Sequence, residues 1–114
     1  MQKNSLNKVL LIGRLGANPE ARYTSAGVPV VSFSLATNEV WKQKDGDLAE
    51  KVEWHNIVMC DKLAELGQKN LTKGQLISVE GKLQTRTWEN KDAQKFKTTE
   101  IVCSSFVLLE RKIN

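Results

Sequence analysis

Apolar residues alternate with polar ones along most of this chain and take helical spacing over only one stretch. Val31, Phe33 and Leu35 point one way and Ser32 and Ser34 the other, which predicts a strand over 28–37. Pro29 sits near its start, where a strand tolerates it. A first strand is expected over 7–15, where Val9, Leu11 and Leu15 share one parity while Leu10 and Ile12 fill the other, so both of its faces are expected to be covered. Residues 16–27 hold Gly16, Asn18, Pro19, Ser25 and Gly27 and read as turn. Residues 39–51 contain Asp45-Gly46, a strong turn dipeptide, and read as a hairpin loop before a third strand over 52–60. The period then changes. Asp61 can cap a helix, and Leu63, Ala64, Leu66 and Leu71 form a short helical stripe that Gly67 weakens. A fourth strand follows over 75–88, with a bulge or bend expected at Gly81. A polar turn over 89–94 leads to a fifth strand over 95–109, rich in Thr, Val, Ile and Phe.

Three strands, a short helix and two strands make an all-β chain. That order is the arrangement of an OB-fold, a five-stranded Greek-key barrel with a short helix between strands 3 and 4. Small barrels of the pleckstrin or SH3 kind share much of the same alternation. At 114 residues the chain reads as a single domain, 1–114. The longest apolar run is 9–12, so no membrane span is expected, and no signal-like start is seen, which makes the cytoplasm the expected compartment. Two cysteines, Cys60 and Cys103, make no disulfide framework and read as reduced thiols.

The chemistry of catalysis is thinly represented. His55 is the sole histidine. Glu53 shares its strand face, but Cys60 lies five positions away and falls on the opposite face. His55, Cys60 and Cys103 are too few and too scattered for a zinc site, and no phosphate-binding glycine motif is present. No cofactor and no metal are expected. Gly13-Arg14-Leu15-Gly16 matches the G-x-x-G of KH domains by letter, but it follows a strand-like run rather than a helix and reads as a bend leaving a barrel strand.

Charge and aromatic placement are more informative. With 17 Lys and Arg against 13 Asp and Glu the net charge is +4. Five of the positives, Lys82, Arg86, Lys91, Lys95 and Lys97, fall between 82 and 97 against only Glu89 and Asp92, in company with Trp88 and Phe96. Basic residues interleaved with aromatics suit a partner that has phosphates and flat bases. Trp88 shares a strand face with Lys82, Gln84 and Arg86, a set too costly to bury. Trp54 shares one with Asn56, Val58 and Cys60, and Trp41 enters a polar loop beside Lys42 and Lys44.

At these residues the chain resembles the bacterial and mitochondrial single-stranded DNA-binding protein family, SSB. The matching pieces are Asn7-Lys8-Val9, Leu11 to Gly16, Asn18-Pro19-Glu20, Arg22-Tyr23-Thr24, Leu35-Ala36-Thr37, Glu53-Trp54-His55, Lys62 to Glu65, Lys73-Gly74, Glu80-Gly81, Thr85-Arg86 with Trp88, and Thr98-Thr99-Glu100, in order over about 7–109. The resemblance implies an OB-fold that binds single-stranded DNA with little sequence preference, as a homotetramer, in replication, recombination and repair. It implies stacking by Trp41, Trp54 and Trp88, and basic or polar contacts from Lys8, Lys62, Lys73 and Arg86, to which the residue reading adds Lys82, Gln84 and Asn56. His55, Ile57 and Met59 are expected at a subunit contact. A bacterial cytoplasm with nucleoid association is implied rather than a mitochondrial matrix. An RNA-binding or primosome-type OB protein is the alternative within binding modules, and a small metal-dependent nuclease using Glu53, His55 and Asp61 the alternative among enzymes.

The chain departs from the family pattern at several places. Cys60 stands where a stacking phenylalanine is usual, Asn56 and Gln84 where arginines are frequent, and Lys97 where an aromatic is usual, with Phe96 one position off. The flexible linker and acidic tail of many family members are not expected here, since the sequence stops at Arg111-Lys112-Ile113-Asn114.

Overall fold

The computed structural model describes residues 2–110; the closing residues 111–114 lie outside them. Seven elements follow one another: β1 (Val9–Leu15), β2 (Glu20–Tyr23), β3 (Pro29–Lys42), β4 (Leu48–Cys60), α1 (Asp61–Asn70), β5 (Leu76–Glu89) and β6 (Lys95–Leu108). The strands run β1-β5-β6-β4-β3-β2 across one sheet, and β1 also pairs with β3. That last pairing closes β1, β3, β4, β6 and β5 into a five-stranded barrel, with α1 between the third and fourth barrel strands. The expected OB-fold is therefore the fold of this chain.

The alternation read along the sequence fills the interior. Leu15, Val31, Phe33, Leu35, Ile57, Met59, Ile77, Val79, Ile101 and Cys103 form one buried cluster, drawn from all five barrel strands. α1 closes one end. Its Ala64 and Gly67 are buried, and a Cβ at Gly67 would sit 2.7 Å from Met59 Sδ, so the glycine that weakens the helix is also what lets it lie on the core. Leu66, expected in the inward stripe, is exposed. Nor does Asp61 cap: the N-cap is Cys60, without a side-chain hydrogen bond, and Asp61 is already the first helical residue.

Both long hairpins outrun the barrel. The strand expected over 28–37 continues to Lys42, and the one expected over 52–60 begins at Leu48. The β3–β4 turn is closed by Gln43 N–H to Asp47 O at 2.8 Å and by Asp45 Oδ1 accepting from Asp47 N–H at 2.9 Å. In β5, residues 76–81 alternate into the core while everything from Lys82 to Glu89 is exposed. Gly81 marks the change. The ladder slips there, so that Glu80 faces Ser105 and Gly81 faces Cys103, leaving Ser104 of β6 as the extra residue. A Cβ at Gly81 would lie 2.3 Å from Val102 O, so only glycine admits the backbone of β6 this closely. The short β2, all exposed, lies within the segment expected to be turn and pairs with β3 from Glu20 opposite Ser32 to Tyr23 opposite Pro29.

Burial bears on two expectations. Ile57 and Met59 have 0% exposure inside the barrel, so neither can form a subunit contact; truncating either to Ala would open a core cavity costing about 2–5 kcal/mol. On β1, Leu10 and Ile12 are 64% and 62% exposed, so the outer face of that strand is open in the protomer.

The two thiols are unlike. Cys60 is exposed and Cys103 buried, and burial pushes the Cys103 thiol up to about 11. A thiol-reactive dye at neutral pH should therefore label one cysteine in the native protein and two after denaturation, with peptide mapping placing the native label on Cys60. Equal labelling rates would contradict the burial of Cys103.

Candidate nucleic-acid interface

Trp54 lies against the bend that ends β1. A Cβ on Gly16 would be 2.4 Å from Trp54 Cζ3 and 2.8 Å from Cη2, so the six-membered ring rests on bare glycine backbone while the residue stays 58% exposed. Around it is an open cleft of about 540 Å³ whose lining includes Arg14, Asn38, Val52, Lys73 and Gly74. Lys73 is delivered by the turn after α1, which is tied to the loop after β1 by Lys73 N–H donating to Asn18 Oδ1 at 2.8 Å. Arg14 secures the same turn from the other side, donating to Gly74 O at 3.0 Å. It also holds Glu110 through two bonds, 2.6 Å to Oε1 and 3.3 Å to Oε2. The hydrogen bond from Arg14 holds the Glu110 carboxyl below its ordinary range, and the same bond raises Arg14.

A second groove runs beside the first, lined by Asn18, Glu20, Arg22, Ser32, Asn56, Arg86, Thr98 and Glu100 among others. Here β4 meets β6, and Asn56 and Arg86 line the same groove. Arg86 Nε donates to Glu100 Oε1 at 3.2 Å, and Arg22 to Ser32 Oγ at 3.2 Å. Farther out on the β5–β6 arm, Trp88 and Phe96 are directly paired across the strands. Their rings stack at 4.6 Å between centroids and 21° between planes, and Trp88 Nε1 donates to Thr98 Oγ1 at 3.0 Å. Trp88 is still 41% exposed. The one-position shift of the aromatic from 97 to 96 thus moves it from the Thr87 side of the arm to the Trp88 side.

The structure gathers some of the expected residues and separates others. Trp54 and Lys73 share the first cleft, Asn56 and Arg86 the second, and Gln84 lies on the Arg86 and Trp88 face of the arm, opposite Glu100. Lys8 and Lys82 meet in a different depression, beside Glu80 and Val102, where Lys8 Nζ is 3.1 Å from Glu80 Oε1. Lys62 stands on α1 beside Glu65 and Leu66. Trp41 pairs with Ala49 and Trp54 with Ala36, which by strand parity puts the two indoles on opposite faces of one ribbon. His55 contacts Thr37 Oγ1 through Nε2 at 2.9 Å and lines a hollow with Leu10, Ile12, Glu53 and others; Asp61 does not line it, so the three residues of the nuclease reading do not converge. Among the described residues no group of three or more His, Cys, Asp or Glu could hold a metal ion. Arg14 and Arg22 were not singled out for nucleic acid in the sequence. Their signal is the parity that places Arg14 outward beside Gly16, and a strand at β2 that no apolar pattern announces.

Residues 6–109 match the model of the single-strand binding protein family. The chain belongs to that family. It is 49% identical over 108 residues to single-stranded DNA-binding protein 1 of Chlorobaculum tepidum, covering 94% of this chain and 67% of that protein. It is 46% identical over 105 residues to the single-stranded DNA-binding protein of Neisseria meningitidis, covering 92% and 60%. The chain thus spans about two-thirds or less of the length of these family members. Among solved structures, a Plasmodium falciparum SSB in complex with ssDNA matches with a TM-score of 0.82 and 40% identity over 96% of this chain and 100% of that one. The single-stranded DNA-binding protein of Thermus aquaticus, as a deletion mutant, matches at 0.78 and 34%, over 92% of this chain and 51% of that one.

Gly16 provides a direct test of the Trp54 cleft. Because Trp54 is exposed, Gly16→Ala should push the ring aside rather than break the core, and lose oligonucleotide affinity with only a small change in the melting temperature. The loss is bounded by one stacked base, about 1–3 kcal/mol. Unchanged affinity by fluorescence titration would show that the position of Trp54 over Gly16 does not matter.

Proposed function

We propose that this chain binds and protects single-stranded DNA with little sequence preference, in replication, recombination and repair, and acts by binding rather than by catalysis. One observation carries the reading: an exposed indole, Trp54, in an open cleft with Arg14 and Lys73 at its edge. A flat apolar ring beside cations offers a stacking surface to a base and charge to the adjoining phosphates, and neither asks which base it is. The second groove, with Asn56 and Arg86, and the Trp88–Phe96 platform extend that surface along the β5–β6 arm. The names of the family members and of the ssDNA-bound neighbour agree with it. A bacterial cytoplasm, in association with the nucleoid, is the setting this reading implies.

The working form in this reading is a homotetramer. β1 pairs with β3 only at Arg14 and Leu15, so on that side the edge of residues 9–12 has no strand partner among the described residues, and an open edge is a template for another chain. Leu10, Ile12, Val107 and Leu109 are exposed, and the pairings of β1 with β5 and of β5 with β6 set Leu10, Ile12 and Val107 on one outer face. His55 lies in the hollow beside that edge. Subunit contacts belong on this surface.

Light scattering at micromolar concentration should return about 51 kDa, a closed tetramer of 12.8 kDa chains; a monomer would refute the assembly.

Tryptophan quenching by poly(dT) tests the binding. Log K should fall linearly with log salt by about 0.7 for each phosphate neutralised. Trp54→Ala and Trp88→Ala should each lose about 1–3 kcal/mol of affinity per stacked base while melting near wild type, since each ring is half open to solvent. A salt-independent affinity, a preference for matched RNA, or cleavage of labelled oligonucleotide with Mg²⁺ would overturn the reading in favour of its rivals.

A further inference from the structure

Three ion pairs, Lys8–Glu80, Arg14–Glu110 and Arg86–Glu100, each tie a surface cation to a carboxylate. Arg14–Glu110 differs from the other two in geometry and place. It is a two-pronged pair, with Nη1 on Oε1 and Nη2 on Oε2, the arrangement in which a guanidinium also grips a phosphate. It sits on the lining of the Trp54 cleft, whose other basic lining residue is Lys73. And its carboxylate comes from beyond the end of β6, on a segment held to β5 by Leu109 N–H donating to Leu76 O at 3.0 Å and by a 3.5 Å contact from Gln75 Nε2 to Glu110 O.

We infer that Arg14 is a DNA-phosphate ligand of the Trp54 cleft and that the Glu110 carboxylate occupies it as an internal competitor, which a bound strand must displace. This rests on the reading of the cleft as a single-stranded DNA site. Both side chains of the pair are about half exposed, 53% and 45%, so the carboxylate holds Arg14 only weakly and a phosphate can replace it. Because Arg14 Nη1 also donates to Gly74 O at 3.0 Å, the guanidinium stays anchored to the Lys73-Gly74 turn when the carboxylate leaves. Arg14 and Lys73 would then face the same strand together.

The test is a double-mutant cycle on dT oligonucleotide affinity at low salt. Glu110→Gln should bind about fivefold tighter than wild type, the factor an exposed ion pair at the top of its range represents. Glu65→Gln, which makes the same charge change on α1 outside the cleft, should gain little. In an Arg14→Gln background the gain from Glu110→Gln should vanish. Arg14→Gln alone should reduce the slope of log K against log salt by about 0.7, one phosphate contact, a readout that a purely structural role for Arg14 would leave unmoved; Arg14→Lys should restore the slope. A gain from Glu110→Gln that persists without Arg14, or matches that of Glu65→Gln, overturns the inference as a general charge effect. So does a wild-type affinity for Glu110→Gln. In those cases wild-type binding itself persists and the cleft remains a DNA site, whereas a wild-type protein that fails to bind dT oligonucleotides removes both readings together.

Discussion

One seam of the barrel is held by only two rungs of parallel pairing, Ile57 with Ile101 and Val58 with Val102. Every other strand contact is an antiparallel ladder that local hairpins or the first strand could form on their own terms. The β4–β6 seam joins elements separated by α1 and the whole of β5, and its two Ile side chains are buried in the same core. The second groove depends on it. Asn56 lies one residue before Ile57, and Glu100 and Thr98 lie just before Ile101, so docking the two strands brings Asn56 into the same groove as the Arg86–Glu100 pair. The seam sets the β5–β6 arm directly beside the strand that carries Trp54.

The core half of each strand was legible because burial leaves a period-two signature: Val31, Phe33, Leu35 and, on β5, Ile77 and Val79. The arms were not. Beyond Thr37 and before Val52 the β3–β4 ladder continues through residues exposed on both faces, and such positions carry no pattern that separates strand from loop. β2 was missed for the same reason, since Glu20 to Tyr23 are all exposed and are held by pairing to β3 alone. The presence of the helix was legible from the change in period, whereas its start at Cys60 without a side-chain cap was not, because nothing in the composition says that a carboxylate at Asp61 will go unused.

At the site, the exposed tryptophans were readable from their polar neighbours, but their grouping was not. Strand parity alone separates Trp41 from Trp54, yet it needs the unbroken register of the hairpin to be known. Ile57 and Met59 were placed at a subunit contact because they share a face with His55. The parity was right, but β4 changes surroundings along its length, so the same face is barrel interior at Ile57 and half-open at His55. The ion pairs of Lys8, Arg14 and Arg86 join residues 72, 96 and 14 positions apart, and no local spacing rule reaches across such separations.

The β3–β4 ladder runs through thirteen consecutive pairs, from Val30–Cys60 to Lys42–Leu48, without a bulge. That regularity constrains how the hairpin can change in length over evolutionary time. One residue gained or lost on a single arm would transpose every side chain between it and the tip onto the other surface, carrying Trp41 across while Trp54 stayed in place. Lengthening leaves Trp41 on its own face only when each arm gains two residues, or when the addition falls inside the turn at residues 43–47. Homologues of this chain should therefore differ in hairpin length by even steps on each strand, and an odd step on one strand should be accompanied by a compensating bulge such as the one that Ser104 already supplies to the other arm.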